Sequence, residues 1–195
     1  MGNVLTSLHC LQRMRTPFEL QNDFSVAILG LPKFFREDAT VTVQTMQIGN
    51  KPCRIYGEAH AEYLLLQMTG EHELQSMESE ITAIAQSAHR FLFAAIPVES
   101  WNDALSPWKS PAVWGKQGFG GNAAETLRFL TEQVIPTLKR QYPLPENVKI
   151  ILGGYSLAGL FALWASTQTD LFYGVAAASP SVWFPGWMEF EQQHP

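Results

Sequence analysis

The sequence predicts an α/β domain built on a mostly parallel sheet with helices on both faces. Three observations carry that expectation. Short apolar runs of strand length alternate with stretches whose apolar residues recur at three- and four-residue spacing. The run from Glu62 to Met68 is almost continuously apolar, as a strand covered on both faces requires. Finally, Val148-Lys-Ile-Ile-Leu152 meets two glycines, then the lone Ser156, then a run with helical spacing.

In chain order, residues 1–39 are weakly patterned; residues 24–31 suit a short strand, and Pro17 and Pro32 punctuate the segment. They read as an arm or extension, with the catalytic-type domain occupying residues 40–195. Removing residues 1–38 is expected to leave a soluble product that melts cooperatively. Thr40-Val-Thr-Val-Gln-Thr-Met-Gln-Ile48 alternates and is rich in β-branched residues, a strand closed by Gly49-Asn50, and residues 51–56 are placed to pair with it. The first parallel strand is residues 62–68. Leu74, Met77, Ile81, Ile84 and Ala88 then predict a helix over residues 71–88.

Residues 91–98 form the next strand. Asn122 is the expected N-cap of a helix reaching Tyr142, with Leu127, Leu130, Val134 and Leu138 on one face. Pro136 removes one helical hydrogen bond and should bend it. The strand before Ser156, a helix to about Ser166 and a strand over residues 172–178 complete the series.

At 195 residues and 46% hydrophobic content, one domain with one substantial core is expected. The 13 Lys and Arg against 18 Asp and Glu give a net charge of −5, and no basic stripe suggests a nucleic-acid partner. Cys10 and Cys53 lack metal spacing and make no disulfide framework, which suits the cytoplasm. Neither a cofactor nor a metal is implied. No apolar run approaches the ~20 residues of a membrane span, so no membrane partner is expected. Arg13 and Arg15 follow the short N-terminal apolar patch, the reverse of a secretory signal. Met1-Gly-Asn-Val-Leu-Thr6 fits the myristoylation pattern, but so short a pattern arises easily by chance.

The chemistry centres on Ser156. A nucleophile held on a sharp strand-to-helix turn needs small neighbours, and Gly154, Ala158 and Gly159 supply the room. Ala158 stands where the usual G-x-S-x-G pattern has its second glycine, a difference of one methyl. Such a turn lifts the hydroxyl clear of the sheet and aims it at free N–H groups of the following helix, Leu157's among them. The plain alternative is a strand, a glycine turn and a helix with an incidental serine.

Two runs carry a family resemblance: Gly154-Tyr-Ser-Leu-Ala-Gly-Leu-Phe-Ala-Leu-Trp-Ala165, and Asp170-Leu-Phe-Tyr-Gly-Val-Ala-Ala-Ala-Ser-Pro-Ser-Val-Trp183. They resemble the Putative esterase (esterase D-like) branch of the α/β-hydrolase superfamily, which also holds enterochelin-type esterases and mycolyltransferases. Val134-Ile-Pro-Thr-Leu-Lys-Arg-Gln-Tyr142 is similar to the helix that precedes the nucleophile strand in that family. The likeness covers about residues 60–187. It implies an α/β-hydrolase fold and a serine hydrolase that cleaves small-molecule carboxylic esters through an acyl-enzyme.

Ligands of parallel α/β sheets bind beyond the carboxyl ends of the strands, so residues 69–72, 99–121 and 179–187 are expected to converge on Ser156. One oxyanion donor should be the Leu157 N–H, and the second should come from around Gly70 and Glu71. Tyr155, Trp183, His72 and Trp101 are the expected pocket residues. The loop aromatics Trp108, Trp114, Phe119, Phe184 and Trp187 serve either that pocket or the packing of the loops.

Serine needs a base oriented by a carboxylate, and in this fold the acid and the histidine follow the serine in the chain. Asp170 falls at the wrong end of the sheet, and His194 lies one residue from the last. Glu189 and Glu191 read as solvated helix residues, and His9, His60 and His89 as surface residues. The expectation is therefore of a hydrolase sequence incomplete at its C-terminus, without the sheet's last strands, whose acid and base would follow Pro195. An acyltransferase of the same fold, and a non-catalytic binding or remnant protein, are the competing readings. Oligomeric state is not legible.

Overall fold

The computed structural model describes residues 43–57, 59–70, 73, 77–87 and 90–194. The expectations for residues 1–39, Glu71, His72, Leu74, Ala88 and His89 lie outside the described residues. Strands β1 (Val43–Ile48) and β2 (Lys51–Gly57) form a hairpin turned at Gly49 and Asn50, pairing Val43 with Tyr56 and Ile48 with Lys51. β3 (Tyr63–Thr69) and β4 (Phe91–Pro97) are parallel and in register from Tyr63 opposite Phe91 to Thr69 opposite Pro97. β7 (Lys149–Tyr155) lies along the other side of β3, and β8 (Gly174–Ala178) follows beyond it. The sheet order is β1-β2-β4-β3-β7-β8, with β2 antiparallel to β4 and the four strands from β4 to β8 parallel. A two-residue ladder, β5 (Lys109–Ser110) with β6 (Phe119–Gly120), closes the long loop after β4.

Successive strand residues point to opposite faces, and the two faces have separate cores. Leu64, Leu66 and Met68 of β3 and Leu92, Ala94 and Ile96 of β4 join Ile150 and Leu152 of β7 on one face. Helices α3 (Ala123–Phe129), α4 (Ile135–Gln141) and α5 (Leu157–Gln168) cover that face through Ala123, Leu138, Leu160 and Phe161. Phe91, Phe93 and Ala95 point the other way, against Met77, Ile81, Ile84 and Ala85 of α1 (Met77–Ser87). Each buried Phe or Leu contributes on the order of 1.5–3 kcal/mol, so these cores hold the strand ends in fixed positions. Helices therefore cover both faces, as the apolar periodicity predicts.

The expected single helix from Asn122 to Tyr142 is divided. Between α3 and α4, Leu130–Val134 winds as a π-turn, and the Ile135 N–H donates to the Leu130 carbonyl five residues back. Pro136 has no N–H and its ring would crowd the carbonyl four residues earlier, so the wider turn accommodates it just upstream. Asn122 holds the N-cap position without a side-chain hydrogen bond. β8 is two residues shorter than the spacing suggests and is paired on one side among the described residues.

Candidate active site

β7 is the third of the four parallel strands counted from the hairpin side, and it delivers Ser156 at its carboxyl end. Ser156 has φ 56° and ψ −118°, a conformation that non-glycine residues rarely adopt. Such a residue costs of order 1–3 kcal/mol and persists only when its surroundings over-determine it. Here three backbone hydrogen bonds do so. The Ser156 N–H donates to the Ala178 carbonyl at 3.0 Å, and the Ser156 carbonyl accepts from the N–H groups of Leu160 at 3.1 Å and Ser181 at 3.0 Å. The first extends the parallel ladder from β7 to β8, which ends at Tyr155 opposite Ala178; the second starts α5.

The small neighbours are required by space. A Cβ on Gly154 would stand 2.5 Å from the Ala158 carbonyl carbon, and one on Gly159 would lie 3.0 Å from the Gly154 carbonyl oxygen and 3.2 Å from Pro180 Cα. Ala158 and Gly159 are thus the inner wall of the turn, and Ser156 faces outward, half-buried. Leu157 opens α5, where N–H groups have no intrahelical partner.

The second expected donor differs from expectation. The Gly70 N–H is occupied: it donates to a Glu73 carboxylate oxygen at 3.0 Å, while the Glu73 N–H donates back to the Gly70 carbonyl at 3.2 Å. A carboxylate three residues on has taken the donor in a reciprocal cap. Trp101, the first residue of α2 (Trp101–Leu105), lays its ring over Gly70, with Cζ3 3.9 Å from where a Cβ would be.

Residues 99–121 and 179–187 do meet. Trp114 packs edge-on against Trp183 with centroids 4.3 Å apart, and Phe119 lies 6.2 Å from Trp183 and 5.1 Å from Phe184. Trp108 donates its Nε1–H to the Pro185 carbonyl at 2.8 Å and packs at a tilt against Phe184 and Phe190, tying the two loops together. Phe184 and Trp187 are buried and therefore pack the loops, whereas Trp183, Trp114 and Tyr155 keep exposed surface. A cleft of about 710 Å³ runs along the 99–121 loop past Asp103, Lys109, Lys116 and Phe119; Ser156 is not in its lining.

None of the titratable candidates among the described residues is hydrogen-bonded to Ser156. His194 ends α6 (Trp187–Gln193), exposed, its ring stacked on Phe190 at 4.2 Å and its Nδ1 2.9 Å from the Phe190 carbonyl oxygen. Asp170 is exposed in the turn before β8, at the amino end of that strand. His60 sits on an exposed turn before β3. Among the described residues no cluster of His, Cys, Asp and Glu could hold a metal, and no helix is long and apolar enough to cross a membrane.

The residue that sequence reasoning left unassigned is Ser181. Its hydroxyl oxygen lies 3.1 Å from Ser156 Oγ, and it is fully buried. The signal was its place in Ser179-Pro-Ser-Val-Trp183, just past the carboxyl end of the strand next to β7.

Comparisons with known proteins agree on the architecture. The solved structures that the chain resembles include an IroE-like serine hydrolase from Shewanella oneidensis (TM-score 0.68, 18% identity, covering 78% of this chain and 56% of that one). They also include the siderophore hydrolase EstA from Aspergillus nidulans (TM-score 0.56, 21% identity, 78% and 60%). A third is the enterobactin esterase FES from Shigella flexneri (TM-score 0.54, 18% identity, 77% and 39%). The chain spans little more than half the length of the first of these, and the likeness establishes an α/β-hydrolase fold. No curated protein matches the sequence. A sequence profile of the family described as Putative esterase matches residues 67–194, from the middle of β3 to the end of α6, and the chain belongs to that family.

Proposed function

We propose that the chain carries the nucleophile of a serine esterase, with Ser156 forming an acyl-enzyme on a small-molecule carboxylic ester. The observation that carries this reading is the strained, three-bond-locked backbone at Ser156, which presents a half-buried hydroxyl at the start of α5. Backbone strain of this kind concentrates at functional sites.

In the first step the Ser156 oxygen attacks the ester carbonyl carbon, its proton passes to a base, and the alcohol leaves with that proton. Water repeats the sequence on the acyl-enzyme and frees the acid. The Leu157 N–H stabilises the oxyanion, with a second N–H from Glu71, or from Gly70 once Glu73 releases it. Trp183, Tyr155 and Trp101 border an apolar acyl or leaving-group site, and His72 is a further candidate for substrate contact.

The test is labelling by a fluorophosphonate, together with hydrolysis of p-nitrophenyl esters and of siderophores, the substrate class named for the Aspergillus hydrolase of this fold. The label is expected on Ser156, and Ser156→Ala should lower turnover by roughly 10⁴- to 10⁶-fold. An unlabelled Ser156 would favour a non-catalytic protein. Transfer of the acyl group to an added alcohol in preference to water would favour an acyltransferase.

A further inference from the structure

We propose that Ser181 is a positioning residue for Ser156, donating its buried hydroxyl proton to Ser156 Oγ; this rests on the nucleophile reading above. The two hydroxyl oxygens are 3.1 Å apart, and the direction of the bond follows from exposure. Ser181 has no solvent-accessible surface, and its hydroxyl has one partner among the described residues, Ser156 Oγ. A buried hydroxyl proton needs an acceptor. If Ser156 were the donor, the Ser181 proton would have none. Ser156 is half-buried, so its own proton can reach solvent, substrate or a base.

The Ser181 side chain is held by its backbone on both sides. Its N–H donates to the Ser156 carbonyl at 3.0 Å, and its carbonyl accepts from the Phe184 N–H at 2.9 Å. Pro180, before it, packs on Gly159 at the base of the turn. The donor is thus fixed to the same frame as the oxygen it addresses.

This arrangement fixes the Ser156 rotamer and leaves its proton for transfer. During attack, a Ser156 lone pair forms the bond to the carbonyl carbon and the Ser156 proton goes to the base; Ser181 keeps its proton throughout. When the acyl-enzyme breaks down, the C–O bond electrons return to Ser156 Oγ. Ser181 then supports the charge developing there until the base returns a proton.

The experiment compares the protein with its Ser181→Ala, Ser181→Cys and Ser181→Thr variants by the second-order rate of fluorophosphonate labelling at Ser156, kcat and KM for p-nitrophenyl acetate, and melting temperature. With one neutral hydrogen bond removed, Ser181→Ala is expected to slow labelling and lower kcat by about 10-fold, with KM unchanged. Ser181→Cys, close in size but a weak donor, should show the same loss at the unaltered melting temperature, and it decides the matter if Ser181→Ala does not fold. Recovery in Ser181→Thr would support the hydroxyl as the active feature. Labelling of Ser181→Ala or Ser181→Cys at the unaltered rate would overturn the inference, as would losses matching the unfolded fraction. Absence of label at Ser156 in the unsubstituted protein would instead overturn the nucleophile reading, and this inference with it.

Discussion

Gly154 and Ala158 are packed so closely across the turn that a Cβ on Gly154 would lie 2.6 Å from the Ala158 methyl and 2.5 Å from its carbonyl carbon. The space around Ser156 is therefore shared, and one methyl already fills it. Gly154→Ala is expected to cost about 1–3 kcal/mol by overpacking, roughly 2–4 °C in Tm per kcal/mol at this chain length. It should also slow labelling of Ser156 more than the melting shift explains, because relief of the clash rotates the turn. Ala158→Gly removes the methyl without a clash and should cost at most about 1 kcal/mol. Thermal unfolding of the two variants checks the asymmetry; equal losses would mean that the contact is not decisive.

That contact also shows what a sequence can carry. Gly154, Ser156 and Leu157 are neighbours in the chain, so strand, turn and helix are legible together from spacing alone. The two-faced core is legible for the same reason, since Leu64, Leu66 and Met68 alternate with Tyr63, Leu65 and Gln67. Ser181 was not legible. It lies 25 residues from Ser156, and only the β7–β8 register, with Tyr155 opposite Ala178, brings the two hydroxyls together. The occupied Gly70 N–H was half legible: Gly70 and Glu73 have capping-box spacing, but the loop reading treated the glycine as a free donor. Pro136 announced a bend in the helix, but not that the chain would absorb it as a π-turn at Leu130–Val134.

Trp183 is half-exposed on the 179–187 loop, in edge contact with Trp114 at 4.3 Å. Its ring contributes little to the core, which lies beneath it at Phe184 and Trp187. Trp183→Ala is expected to lower stability by less than about 1 kcal/mol. It should change the kcat/KM ratio between acetyl and bulky acyl esters by about 10-fold or more, the range that hydrophobic pocket contacts deliver. Equal losses on every ester together with a large fall in Tm would refute a place in the pocket.

Glu80 of α1 is half-buried against β3, where Gln67 Nε2 donates to its carboxylate at 3.2 Å. Burial raises its pKa, the Gln67 hydrogen bond partly lowers it, and the nearby Glu73 raises it further. The folded state therefore holds this proton more tightly than the unfolded state does. Stability from this group is present below the ordinary carboxylate value, is lost as pH rises through the raised folded value, and is flat above it. Glu80→Gln keeps an acceptor for Gln67 and removes the charge. It should raise Tm relative to the parent at about pH 8 and lose that advantage by about pH 4. Tm measured against pH for both proteins checks the sign; a variant that is less stable at high pH would reverse it.

Cys53 lies on β2 opposite Met46 of β1, the outermost strand among the described residues, with no exposed surface. Burial pushes its thiol up to about 11, against a partial lowering by Lys51. Near pH 8 only about one molecule in a thousand then carries the thiolate, and that thiolate is covered. Iodoacetamide should therefore modify Cys53 in the native protein far more slowly than in urea, with the rate tracking the opening of the β1–β2 hairpin. Peptide-level mass spectrometry separates Cys53 from Cys10. Modification of native Cys53 at the rate of the unfolded chain would mean that the core around it is open in solution.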